Sequence, residues 1–184
     1  MAQSRRVKAD RHKKPRPPLD AKALERLALS YVGRYATTRA KLRAYVARKL
    51  AERGWGGEGE APVEPLVERL VRLGYIDDRA FAAARAASLQ RRGYGARRVD
   101  QALHGAGIDP EDSGEARQIA QDGAWEAALR YAERRRIGPF AAAPPDRQAR
   151  EKAFAAMMRA GHPVAIARRL IEAPPGHIPD SDSF

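Results

Sequence analysis

The stretch Gly74-Tyr75-Ile76-Asp77-Asp78-Arg79-Ala80-Phe81-Ala82, continued by Arg92-Gly93-Tyr94-Gly95-Ala96-Arg97-Arg98-Val99 and by Gln101-Ala102-Leu103 up to Gly107, decides the fold. Asp77 or Asp78 can cap a helix, because a short carboxylate accepts from the orphan amides of a first turn. Phe81, Ala84 and Ser88 then share a face at helical spacing, and Gly93 stops the run. Gly95 permits a sharp turn into a second helix carrying Val99, Ala102 and Leu103, ended by Gly107. Asp109-Pro110-Glu111-Asp112 reads as the start of a third: a cap, a proline at the first helical position, then acids facing the positive end of the helix dipole. Ile119 is the main large apolar residue of that helix.

The same order holds on either side. Upstream, Leu24, Leu27 and Tyr31 line one helix and Leu42, Tyr45, Val46 and Leu50 a second, which Thr37 or Thr38 can cap. The run Gly54-Trp55-Gly56-Gly57-Glu58-Gly59 ends it, and Pro62 opens a third helix with Leu66, Val67, Leu70 and Val71. Downstream, Trp125, Ala128, Leu129 and Ala132 lead into Arg134-Arg135-Arg136, and Gly138-Pro139 to Pro144-Pro145 is a loop. Phe154, Met157 and Met158 line the next helix, ended by Gly161, and Val164, Ala167, Leu170 and Ile171 the last. Gly54, Gly107 and Gly161 each end a middle helix, at spacings of 53 and 54 residues. Three helices per round at constant period predict an all-α tandem array of three-helix, helix-turn-helix-like repeats, each too small to bury its own face without a stacked neighbour. The expected organisation is a flexible basic tail over 1–20, repeats over 21–76, 77–124 and 125–173, and a short tail over 174–184.

Composition bounds the function. Of the 184 residues 43% are apolar, but much of that share is alanine, which favours helix and buries little area; a thin, elongated core follows. No cysteine is present, which excludes a disulfide scaffold, thiolate metal sites and cysteine nucleophiles. No apolar stretch approaches the ~20 residues that span a bilayer, and no apolar segment follows the N-terminal charges; a cytoplasmic monomer without membrane contact is expected. The formal net charge of +12 points to a polyanionic partner. Seven Lys/Arg against Asp10 lie between Met1 and Pro18, as a solubilising tail or a phosphate tether.

The inventory argues against an enzyme. His12, His104, His162 and His177 are scattered, and no metal-binding pair of histidines, phosphate-cradling loop or dinucleotide fingerprint appears. Helix capping accounts for Asp77-Asp78 and for Asp109, Glu111 and Asp112. No catalytic residue, cofactor, metal or small-molecule substrate is expected. The basic constellations carry more. Arg79, Arg85, Arg91, Arg92, Arg97 and Arg98 surround Tyr94 with no acid among them, either a solvated face or a ridge for phosphate or carboxylate. Tyr94 reads equally as a core anchor pinning the turn. A second patch, Arg39, Lys41, Arg43, Arg48, Lys49 and Arg53, is opposed in sequence only by Glu52. It lacks the Asn, Gln and Ser common in base reading, so contact with phosphate or an acidic protein fits it better. Arg134-Arg135-Arg136 and Arg168-Arg169 form a third group, read mainly as solvated surface.

The ordered set from Leu73 to Ala82, Arg92 to Val99 and Gln101 to Ile108 closely resembles the RecX family of regulatory proteins, modulators of the RecA recombinase. The likeness covers Ala21 to Asp109 well and Arg150 to Ile171 more loosely, where Gly161 and Arg168-Arg169-Leu170 fit the closing helices. It implies a row of three-helix repeats that binds the RecA filament on single-stranded DNA and dampens its recombinase, ATPase and co-protease activities, and with them DNA repair and the SOS response. Single- and double-stranded DNA are implied as further partners. The contacts it suggests are Arg39, Lys41, Arg43, Arg85, Arg91, Arg92, Tyr94, Arg97, Arg98, Arg168 and Arg169. One departure stands out: members often carry an acid where Lys41 stands, near the start of the second helix.

Overall fold

The computed structural model describes residues 16–181, and among these the only regular elements are helices. They run α1 (Ala21–Val32), α2 (Arg39–Arg53), α3 (Val63–Arg72), α4 (Asp78–Arg91), α5 (Ala96–His104), α6 (Gly114–Asp122), α7 (Ala124–Arg135), α8 (Arg147–Ala160) and α9 (Val164–Glu172). Local chemistry sets several ends. Asp20, Thr38, Asp77 and Asp146 each accept an amide of the first turn. Gly54, Gly107 and Gly161 all have positive φ, at 77°, 69° and 89°. The glycines that gave the repeat its period therefore sit where a side chain is strained.

One start differs from the expectation. Asp109 makes no capping bond; Pro110–Asp112 is a single 3-10 turn, and α6 begins only at Gly114. Asp112 instead faces two arginines, Arg39 at 3.5 Å and Arg79 at 3.0 Å. The acid serves a contact with α2 and α4 rather than the dipole of its own helix.

Three apolar clusters follow one another along the chain. The first joins Leu24, Leu42, Val46, Val67 and Leu70 of α1–α3. It also takes in Leu19, fully buried, whose amide and carbonyl bond Gly54 and Gly56. The tail expected over 1–20 otherwise lies outside the described residues as far as residue 15. The second cluster joins Ala82, Ala86, Leu89, Val99, Leu103, Ala116 and Ala120 of α4–α6. Alanine on the facing stripes of α4 and α6 lets these two helices pair along much of their length. The third joins Ala128, Tyr131, Ala132, Met157, Ala167, Leu170 and Ile171 of α7–α9. Substantial contacts between clusters run only between neighbours, which gives the expected tandem array. No described helix is long and apolar enough to cross a membrane.

The two joints differ in kind. Between the first and second clusters polar contacts lead: the Thr38 hydroxyl donates to Ala106 O at 2.7 Å and the Arg39 amide to Asp78 Oδ1 at 3.0 Å, with Ala40 close against Gly107 beside them. Asp78 is thus not a cap but a buried acceptor, 2% exposed, reaching across to α2. Between the second and third clusters the main chains themselves touch, and the cleft described next forms there.

Candidate anion-binding cleft

The Gly93-Tyr94-Gly95 turn builds the second joint. A Cβ on Gly93, whose φ is 74°, would lie 3.0 Å from the Tyr131 amide of α7. A Cβ on Gly95 would run into the Gly161 carbonyl and come within 2.6 Å of the His162 amide at the end of α8. The Gly95 amide donates to Ala160 O at 3.0 Å and the Arg97 amide to Gly161 O at 3.2 Å. Both glycines are therefore demanded by close backbone approach. Tyr94, between them, packs against the second and third clusters together. It is the anchor that the sequence left open, and it also lines the cleft.

That cleft has a volume of about 1070 Å³. The turn side contributes Arg92 and Arg98, the end of α7 contributes Arg134, Arg135 and Arg136, and α8 contributes Lys152 and Arg159. Ala149, Ala153, Ala156, Ala160, Ile137 and Ile171 form the apolar lining. Arg136 adopts the left-handed conformation at φ 54°, the one non-glycine residue to do so among those described, as the chain leaves α7 for the cleft wall. Arg134 Nη1 donates to Arg92 O at 2.6 Å, and the Arg134 and Arg135 guanidinium groups lie 5.4 and 5.9 Å from the Tyr131 ring. Arg92 stands 5.4 Å from the Tyr94 ring, and Arg98 Nη1 reaches Gln101 Oε1 at 3.3 Å. Among the described residues none of these seven cations forms an ion pair. A smaller hollow of about 380 Å³ shares Arg92, Tyr94 and Arg98 and adds Arg85.

The basic face of α2 is built otherwise. Arg39 pairs with Asp112 and, at 4.0 Å, with Asp78; Arg43 pairs with Glu64 at 2.8 Å, and Arg48 and Lys49 both with Glu52. Arg53 donates to Pro17 O, and Lys41 lies 4.6 Å from the Phe81 ring. Lys41 thus makes a cation–π contact with α4. The hydrogen bond to Glu64 raises the Arg43 pKa, and the Lys49 hydrogen bond lowers that of Glu52. Burial raises the pKa of Asp78, which the Arg39 amide and guanidinium offset only in part.

The residues named from sequence are therefore spread over several surfaces. Arg85, Arg92, Tyr94 and Arg98 come together at the cleft and the adjoining hollow. Arg91 and Arg97 are exposed outside both. Arg39, Lys41 and Arg43 lie on α2; Arg168 is exposed on α9, and Arg169 lies 5.8 Å from the Trp125 ring. Sequence reading did not single out Lys152 and Arg159. Their signal was present: they stand seven apart on α8, flanked at helical spacing by alanines 149, 153, 156 and 160. Among the described residues no group of acids and histidines has the makings of a metal site.

Comparison with known proteins places the chain. Residues 77–116 match the family model described as RecX, second three-helix domain, which covers α4, α5 and the start of α6. Regulatory protein RecX of Myxococcus xanthus is 35% identical over 162 residues, spanning 83% of this chain and 86% of that protein. The chain belongs to the RecX family. Regulatory protein RecX of Agrobacterium fabrum is 31% identical over 138 residues, 73% of each chain. The crystal structure of RecX from Lactobacillus salivarius matches with a TM-score of 0.60 at 17% identity, over 83% of this chain and 94% of that one, an agreement of fold. The Arg-Gly-Tyr-Gly turn that carried the resemblance to RecX is the turn that closes the second joint.

Proposed function

We propose that this RecX-family chain regulates the RecA recombinase by binding the RecA filament on single-stranded DNA, chiefly inhibiting its ATPase, recombinase and co-protease activities and through them DNA repair and the SOS response. The observation that carries this reading is the likeness to Regulatory protein RecX along 86% of that protein's length. The unpaired cations of the cleft support it, because a filament on DNA is a polyanion and free guanidinium is the group that answers phosphate. In this reading the units divide at residues 76/77 and 124/125 and lie as stacked blocks along the filament groove. Arg85, Arg92, Tyr94 and Arg98 make the central contacts, with Arg91, Arg97, Arg168 and Arg169 around them. Arg39 and Lys41 serve mainly to hold the first unit to the second, and Arg43 to hold α2 to α3 within the first. The chain acts as a cytoplasmic monomer.

The test is RecA ATPase on fully coated single-stranded DNA, with the chain added well below one molecule per RecA. Strong slowing at such ratios is expected, since a wedge or cap acts on many subunits at once. Slowing that starts only at DNA-saturating amounts would overturn this reading in favour of a DNA-covering protein.

A further inference from the structure

The side chains lining the large cleft have one-sided hydrogen-bonding capacity. Six arginines and Lys152 donate; among the described residues, apart from the hydroxyls of Tyr94 and Tyr131, no lining side chain can accept, for the lining holds no Asp, Glu, Asn, Gln, Ser, Thr or His. The Tyr131 hydroxyl donates to Ala156 O at 3.2 Å, so the only side-chain acceptors left to a ligand here are the lone pairs of these two phenols. A ligand that fills this space must therefore carry acceptors along its length and few donors. An acidic peptide does not meet that condition, because each of its residues brings an amide N–H that costs free energy when desolvated without a partner. A phosphodiester backbone does meet it: it carries charge and acceptors at every step and no donor. The same lack of acceptors leaves base edges unread, since A, C and G each present an amino donor. Bases can only lie against the alanine-rich lining and the half-buried Tyr94 ring.

Size narrows the choice further. At about 1070 Å³ the space is near the upper end of ordinary ligand pockets, ~300–1,000 Å³, and holds a few nucleotides of one strand. A duplex, whose major groove alone is ~12 Å wide, stays outside and touches only the rim. We infer that the cleft between the second and third units is a sequence-indifferent seat for a short run of single-stranded nucleic acid, held by its phosphates. This deepens the regulatory reading above, on which it rests for its setting, by naming the strand and not the recombinase as what this cleft holds. The site exists only where the Gly95–Gly161 contact joins the units, since its two walls come from different units.

The experiment uses the full chain and fluorescently labelled oligothymidylate, followed by anisotropy at several salt concentrations. Lys152→Glu with Arg159→Glu is the test variant, both side chains being exposed on α8. Arg26→Glu with Arg34→Glu, exposed on the first unit, makes the same change in net charge away from the cleft. The cleft variant is expected to lose at least tenfold in affinity, and the slope of log K against log salt to fall by about 0.7 for each phosphate contact removed. The control variant keeps most of its affinity, both keep the helical circular dichroism, and mixed-sequence strands bind like oligothymidylate. Equal losses in the two variants, tighter binding of a duplex of equal charge, or oligoglutamate binding as well as the strand would each overturn the inference. The RecA ATPase assay separates the two readings. A cleft variant that loses the strand yet still inhibits leaves this site standing and moves the regulatory contact elsewhere. One that keeps the strand yet fails to inhibit refutes this site alone.

Discussion

Along α2, Arg39, Arg43, Arg48 and Lys49 each face a carboxylate, whereas among the described residues Arg92, Arg98, Arg134, Arg135, Arg136, Lys152 and Arg159 around the cleft pair with none. In sequence the two regions look alike, rich in arginine and poor in acid. Glu52 lies on α2 itself, but the other carboxylates that neutralise the helix arrive from afar: Glu64 is 21 residues from Arg43, and Asp78 is 39 from Arg39. The joints beside these regions differ in the same way. The first is held by a hydroxyl, a buried carboxylate and ion pairs, with the Ala40 side chain close against Gly107; the second by main chain against main chain. Local charge density says little about where free charge will be, because folding pairs some of it and strands the rest.

The sharpest way to break the contrast is at Gly95. In Gly95→Val the added carbons meet the Gly161 carbonyl carbon at 2.5 Å and the His162 amide at 2.6 Å, main-chain atoms that cannot rotate away. Overpacking costs typically ~1–3 kcal/mol, and here, against backbone, we expect the upper end, about 3 kcal/mol or more, with the cleft lost. Urea unfolding measures it; an unchanged midpoint would show that the joint is looser than its geometry.

A somewhat smaller effect comes from pH, and it has opposite signs at the two joints. His162, 3% exposed beside the second joint, makes no side-chain hydrogen bond of ordinary geometry among the described residues. Burial lowers its pKa from 6.5 to about 4, with Arg134 acting in the same direction and the Gly93 backbone against it. Since the folded value lies below the unfolded one, this contribution is full above pH 6.5 and is lost as pH falls towards 4. The loss approaches about 3 kcal/mol. At the first joint the raised pKa of Asp78 works the other way, because protonation there removes a buried charge and favours the folded state. Stability measured from pH 7 to pH 4 should fall in the native chain and stay flatter in His162→Phe. An equally steep fall in that variant would assign the acid sensitivity elsewhere.

How much of this could be read beforehand follows from the range of each signal. Helix type, the three rounds and their glycines were legible, because apolar period and positive-φ turns are local properties. Thr38 and Asp77 were legible as caps for the same reason. Asp78 and Asp112 were not: each looks like a capping acid, and its real partners, Arg39 and Arg79, come from other parts of the chain. The cleft was half legible. The Arg92-to-Arg98 wall announced itself through its motif, but Lys152 and Arg159 join it only because Gly161 docks on Gly95.

Asp78 gives a third handle, specific to the polar joint. Asp78→Ala leaves the Arg39 amide without an acceptor, which costs about 1–3 kcal/mol. Asp78→Asn keeps an acceptor and sheds a buried charge, so at neutral pH it should cost far less than the alanine. Thermal or urea unfolding of the pair checks the order, and equal losses would make the charge, not the hydrogen bond, the contact that matters. Neither substitution should alter binding at the cleft.

The smallest effect is expected where the geometry of a salt bridge looks best. Arg43 and Glu64 meet through two Nε–oxygen contacts of 2.9 Å and an Nη2–Oε2 contact of 2.8 Å, yet their side chains are 43% and 56% exposed. Water screens such a pair, and exposed ion pairs contribute about 0.2–1 kcal/mol. A double-mutant cycle of Arg43→Ala and Glu64→Ala should return a coupling within that range, falling with added salt. Strand binding by Glu64→Ala gives the finer reading. Freeing Arg43 adds an unpaired cation to α2, so a gain in affinity for oligothymidylate would show that pairing alone kept this face from acting like the cleft. No gain would mean that a cation needs the cleft's enclosed, donor-only wall as well as its freedom.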